Sequence, residues 1–242
     1  MAGKIYIGTS GWSYKHWIGT FYPEGTKPAQ LLSLYRQSFN TVEINSTFYG
    51  VPAKQTIINW KNAVADDFVY VVKANRYITH FKKLHDAQEE LFNFLENVSA
   101  LEEKLGPVLF QLPPGFKTDT VLLEDFLKLL PKAYCYTFEF RNRTWYQEET
   151  YRLLQKYNCA FCIYQLAGHI SPIEVTADFV YIRLHGPKGK YQGNYSEADL
   201  SLWAERCLQW SGNEKDVFVY FDNDEKGYAS FNAKCLNELV TR

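Results

Sequence analysis

At 242 residues, 46% of them hydrophobic and 17% aromatic, the chain has the apolar material for a substantial core, which excludes disorder as its main state. A formal net charge of −1 offers no broad basic surface to displace counterions from DNA or RNA, so general nucleic-acid binding is disfavoured. No signal-peptide pattern occupies residues 1–8 and no apolar run approaches membrane-spanning length, which predicts a cytoplasmic protein with no membrane partner.

Residues 4–8 form the first strand-like run. The Gly8-Thr9-Ser10-Gly11 that follows lacks the third glycine of a dinucleotide fingerprint and leads into Trp12, Tyr14, Trp17 and Tyr22; this argues against an open doubly wound sheet. Residues 28–39 read as a helix with Pro28 in its first turn. In the strand predicted over 41–45, alternation sends Val42 and Ile44 to one face and Glu43 and Asn45 to the other. Phe48 and Tyr49 come next in a loop. The run 68–73 ends on Lys73. Residues 89–105 form an apolar helical stripe of Leu91, Phe92, Leu95, Val98 and Leu101, terminated by Gly106.

The strand over 107–112 carries Gln111. The next, over 134–141, sets Glu139 with Arg141 and leaves Phe138 and Phe140 outward, with Trp145 in the loop beyond. Cys159 and Cys162 fall on opposite faces of a strand over 159–164. Together with Cys135, Cys207 and Cys235 they form an odd set, which points to free thiols. Residues 179–185 repeat the earlier design, with Arg183 and His185 on one face. The loop 186–195 combines glycines with Lys188 and Lys190, as a phosphate-attracting lid would. The last strand, over 217–223, ends on Asn223. Eight strands, each followed by a helical segment and with no linker between them, predict an α/β fold: a single-domain (β/α)8 TIM-type parallel barrel spanning residues 1–242.

Carboxyl ends of barrel strands carry the chemistry in that architecture. Glu43, Glu139 and His185 are therefore the candidate proton-transfer groups. Lys73, Arg141 and Arg183 are candidate anion holders, with Asn45, Gln111 and Asn223 to orient a ligand and Trp12 and Trp145 as flat walls. Burying so many polar groups without a function would incur large desolvation costs. A metal site would have to use Glu43, Glu139 and His185 among cations that compete with it, so neither metal nor other cofactor is expected. No nucleophile elbow is present.

These residues lie within a longer series: Gly8-Thr9-Ser10-Gly11-Trp12 with Tyr14 and Trp17; Phe21-Tyr22-Pro23; Val42-Glu43-Ile44-Asn45-Ser46-Thr47-Phe48-Tyr49; Lys73 with Thr79-His80; Gln111-Leu112-Pro113-Pro114. It continues with Glu139-Phe140-Arg141 and Trp145; Arg183-Leu184-His185-Gly186; and Asn223 with Gly227, Ala229 and Asn232-Ala233. In this order, over essentially the whole chain, the series resembles the YecE-like proteins, a family of unknown function. The resemblance implies a TIM-barrel fold and transfers no reaction or residue role. The residues themselves point to metal-independent acid/base chemistry on a small anionic, ring-bearing compound, as a lyase, isomerase or hydrolase. Alternatives are a non-catalytic anion sensor, a binder of nucleic-acid ends if Lys82, Lys83, Lys188 and Lys190 form a track, or a glycosidase, whose neutral substrate suits three cations poorly.

Overall fold

The computed structural model describes residues 1–241. Nine strands form: β1 (Ile5–Thr9), β2 (Thr41–Ile44), β3 (Val69–Lys73), β4 (Leu105–Leu112), β5 (Tyr136–Phe140), β6 (Cys159–Leu166), β7 (His169–Ile170), β8 (Phe179–Leu184) and β9 (Asp216–Phe221). The helices are α1 (Leu31–Tyr35), α2 (Ser46–Tyr49), α3 (Lys54–Asn62), α4 (Gln88–Val98), α5 (Thr120–Lys128), α6 (Glu148–Lys156), α7 (Glu197–Gly212) and α8 (Tyr228–Thr241). The sheet order is β1-β9-β8-β6-β5-β4-β3-β2, and a parallel bridge between Ser10 and Glu43 joins the first strand to the last. Eight parallel strands closing in that order are the topology of a (β/α)8 barrel. Among the described residues no helix is long and apolar enough to cross a membrane.

Three details differ from expectation. β6 continues past Tyr164 and turns back through Ala167 and Gly168, both at positive φ (52° and 78°), into the antiparallel β7. Two consecutive positive φ values are the mark of a two-residue hairpin. The helix expected over 89–105 ends at Val98 and continues as tighter turns broken at Glu102, where φ is 52°. Gly106 therefore terminates no helix. It lies in β4, where a Cβ would come within 2.6 Å of the Val69 side chain on β3, so glycine allows the two strands to approach. The segment 28–39 is helical only in part: a 3-10 turn over Pro28–Gln30 leads into the short α1.

Contacts gather into two compact units. The first comprises residues 1–43, 163–173 and from 179 to the end of the described chain. Its strands β1, β9 and β8 pair in parallel, Ile5 with Val217 through Thr9 with Phe221 and Phe179 with Asp216 through Leu184 with Phe221. On one face of β9, Val217, Val219 and Phe221 are buried, as are Ala229, Ala233 and Leu236 of α8. The other face carries Phe218, stacked on Tyr6 at 4.8 Å, and then the Tyr220 hydroxyl, which shares a hydrogen bond of 2.6 Å with Thr41; on β1 the Thr9 amide donates to the Tyr35 hydroxyl at 3.0 Å. α7 begins with a reciprocal cap between Ser196 and Asp199.

The second unit comprises residues 44–162 and 174–178. β3, β4 and β5 pair in parallel, and the register sets Gln111 beside Glu139. The face opposite those polar groups is aromatic: Phe110 stacks on Phe138 at 5.2 Å and meets Phe126 of α5 edge-on at 5.2 Å. Lys104 is buried, and its ammonium donates to the carbonyls of Lys61 and Val64 at 3.0 Å each. A cation here satisfies carbonyls left over at the end of α3 and matches that helix's negative pole.

Candidate functional site

Alternation along β2 and β8 brings three of the predicted residues together in the first unit. Glu43 is wholly buried, and both its oxygens are occupied. Arg183 grips it with two bonds, Nε to Oε2 at 2.9 Å and Nη2 to Oε1 at 2.7 Å. The Ser10 hydroxyl donates to Oε1 and the Tyr181 hydroxyl to Oε2, each at 2.6 Å. Such a forked pair compensates the desolvation of two buried ions, because each charge finds its counterion and the carboxylate's remaining lone pairs find donors. Burial and the nearby Glu43 charge push the Tyr181 hydroxyl well above its ordinary value, so it remains a donor.

His185 stands two residues beyond Arg183 and is also fully buried. Its Nδ1 lies 3.0 Å from Asp222 Oδ2, and its Nε2 lies 3.4 Å from Arg183 Nη1. A carboxylate only accepts, so Nδ1 carries the proton in the neutral ring and Nε2 is left with the lone pair. The Tyr191 ring meets the imidazole edge-on at 5.4 Å. Asp222 opens on a cavity of about 480 Å³ lined also by Tyr14, His16, Lys190, Tyr191, Asp224 and Glu225. Tyr14 donates to the Ser10 carbonyl, and burial, reinforced by Asp222, raises its hydroxyl far above the ordinary range. Asp224 accepts from the Trp17 indole at 2.7 Å and faces His16 Nε2 at 2.8 Å; burial raises its carboxyl.

Asn223, expected at the end of the last strand to orient a ligand, has its amide engaged by a loop. Parity carried past the end of β9 puts Asp222 with Phe218 and Tyr220, and Asn223 with Phe221 on the other face. Asn223 Nδ2 donates to the Gly193 carbonyl and to Asn232 Oδ1, both at 2.8 Å. Asn232 Nδ2 in turn donates to Asn194 Oδ1 at 2.7 Å. These amides tie the loop 186–195 to α8. Trp12 is partly buried in the first unit, and its carbonyl accepts from the Tyr22 hydroxyl at 2.6 Å.

In the second unit Lys73 Nζ donates to Gln111 Oε1 at 2.6 Å and stands 4.3 Å from the centre of the Phe48 ring. Arg141 Nε pairs with the fully buried Glu139. Asn45 opens α2, and its Oδ1 is buried with no hydrogen-bond partner. Beyond β3 a π turn over Tyr77–Phe81 carries His80, whose Nδ1 is 2.9 Å from the Thr79 hydroxyl. Burial, then the charges of Lys73, Arg141 and Arg76, lower the His80 imidazole to about 4. Trp145 is no wall for a ligand: it is wholly buried, stacks on Phe140 at 4.8 Å and donates its indole N–H to the Phe116 carbonyl at 2.8 Å.

Sequence reasoning missed Asp222, Ser10 and Tyr181. The signal was available in part: Tyr181-x-Arg183-x-His185 is one period-2 series, and the same parity counted from Tyr220 reaches Asp222. Among the described residues no group of three or more His, Cys, Asp or Glu side chains gathers as metal ligands do.

Topology and site together define a (β/α)8-barrel protein with ionisable residues buried at the carboxyl ends of its strands. The pattern of the family described as "Protein of unknown function DUF72" matches residues 6–242. The chain belongs to that DUF72 family. It is 28% identical to the UPF0759 protein YunF of Bacillus subtilis (strain 168), over 98% of this chain and 94% of that protein. It is 30% identical to the UPF0759 protein YecE of Escherichia coli (strain K12), over 57% of this chain and 48% of that one. The crystal structure of a DUF72 family protein from Thermotoga maritima superposes with a TM-score of 0.89 at 31% identity, covering 99% of this chain and all (100%) of that one.

Proposed function

We propose that the protein is a metal-independent acid/base enzyme acting on a small anionic, ring-bearing compound, with His185 as its proton-transfer group. The observation that carries this reading is the contact of 3.0 Å between His185 Nδ1 and Asp222 Oδ2 at the carboxyl end of β8. The carboxylate fixes the tautomer and stabilises the imidazolium, while Nε2, which accepts a long 3.4 Å contact from Arg183 Nη1, acts as the base when the reacting group replaces that contact. Arg183 is shared between the two carboxylates, its Nη2 lying 2.7 Å from Glu43 and 3.6 Å from Asp222, so the cluster holds one more negative than positive charge and has room for the imidazolium's proton. Glu43, with four donors on two oxygens, acts as a positioning residue that holds Arg183 rather than as the base.

Lys73 and Arg141 are the anion-recognising cations of the second unit. Glu139 offsets Arg141 in part, yet the cations still outweigh it at His80, and that net positive field supports attraction of a phosphate or carboxylate there. Gln111, hydrogen-bonded to Lys73, holds the ammonium in place.

The test is a panel of sugar phosphates, nucleotides and small carboxylates, followed for product by mass spectrometry and for binding by calorimetry. Native protein is expected to convert at least one member. Asp222→Asn should lower kcat by about 10²–10⁴, because the amide no longer enforces the productive tautomer. Arg141→Gln should weaken salt-sensitive binding by about 1.5–3 kcal/mol. Binding without turnover would replace the enzyme with an anion sensor, and turnover unchanged in Asp222→Asn would remove His185 from the reaction.

A further inference from the structure

Cations and aromatic rings alternate along the surface of the second unit. Outward from Lys73, the Phe48 ring meets Tyr49 at 5.1 Å and His80 at 4.9 Å, both edge-on. The Arg76 guanidinium lies 5.6 Å from the centre of Tyr49 and 5.7 Å from that of Phe81. Phe81 lies 5.9 Å from Tyr77, and Lys82 Nζ is 5.8 Å from the Tyr77 ring. The π turn produces this display: its wide Lys82 N–H to Tyr77 carbonyl bond of 2.9 Å spreads Tyr77, His80 and Phe81 around one turn.

Three of these rings face solvent, Tyr49 being 69%, Phe81 65% and Tyr77 49% exposed. Single exposed aromatics are ordinary, but a connected group marks a surface that meets something. Lys82 is matched by Glu90 at 2.7 Å. Arg76, by contrast, forms no ion pair among the described residues and lies over two rings. A guanidinium so placed presents its edge donors to an oxyanion while its faces stack.

We propose that this ladder binds short single-stranded nucleic acid, with bases stacking on Tyr49, Phe81 and Tyr77 and Arg76 holding a backbone phosphate between them. The ligand must repeat flat rings and negative charges at close intervals, and a single strand does both. A track limited to a few nucleotides also agrees with a net charge of −1, which provides no field for long duplexes. The assignment is independent of the His185 chemistry.

The test uses the full chain and a fluorescein-labelled oligothymidylate at low salt, read by anisotropy. Saturable binding is expected, tighter than to a duplex of equal length or to inorganic polyphosphate, which has charge but no bases. Phe81→Ala and Arg76→Ala should each weaken it roughly 5- to 100-fold. Arg76→Ala should also make the log–log salt slope shallower by about 0.7, the loss of one phosphate contact. Both positions are exposed, so thermal melting should be unchanged and a binding loss is not a folding defect. Polyphosphate or duplex binding as tightly as the single strand, or both variants binding like native protein, would overturn the proposal.

Discussion

Glu43 and Arg183 show how much hangs on one buried charge. Replacing Glu43 with glutamine keeps the volume but strips the guanidinium of its counterion and turns an amide N–H₂ toward groups that already donate. Glu43→Gln is expected to destabilise the fold by about 3–5 kcal/mol, seen as a lower denaturation midpoint in urea with an unchanged slope. A loss under 1 kcal/mol would mean the pair is solvated in solution. At this scale the sequence was readable wherever side-chain parity was strict: Glu43, Arg183 and His185 share their faces as period 2 requires. It was unreadable at Asn223 and Trp145. Asn223 followed a strand whose end could be placed only by its neighbours. Trp145 looked like a loop aromatic until Phe116 and Phe140 enclosed it, and such long-range packing leaves no mark in a local pattern.

Among the elements, the loop 186–195 depends on a few amides for its seat. Gly186 has φ of 117°, and a Cβ there would come within 2.2 Å of the Gln192 carbonyl oxygen, so that position admits only glycine. At the other end Asn232 accepts from Asn223 and donates to Asn194. Asn232→Ala should cost about 1–3 kcal/mol, the usual penalty for buried partners left unmatched. Hydrogen exchange of the amides from Gly186 to Tyr195 should accelerate more than that of β9. Uniform acceleration would show that the network supports the whole unit instead. All eight parallel strands were foreseen as separate runs, since β-branched and aromatic residues cluster in each. The β6–β7 hairpin was not, because an Ala-Gly pair is a weak turn signal and alanine rarely adopts the positive φ of 52° that Ala167 takes.

For the whole molecule, His80 predicts how stability responds to acid. Its imidazole titrates at about 4 in the fold against about 6.5 in an unfolded chain. The folded form therefore binds fewer protons between those values. The neutral ring's contribution is complete above about pH 6.5, and it is lost as the pH falls toward about 4. His80→Gln should flatten that part of the curve when unfolding free energy is measured across it, and an identical acid limb in both proteins would refute the assignment.

The pairing of β1 with β9 sets a further order of events. Ile5 waits for Val217, and at about 5–20 residues per second of synthesis the interval between them is roughly 10–40 s. During that time β1 has neither its β9 neighbour nor the α8 cover, while residues 44–162 of the second unit are made without interruption. Until residues 216–221 emerge, the β9 side of β1 is therefore an open strand edge, a template for wrong pairing that the finished sheet abolishes.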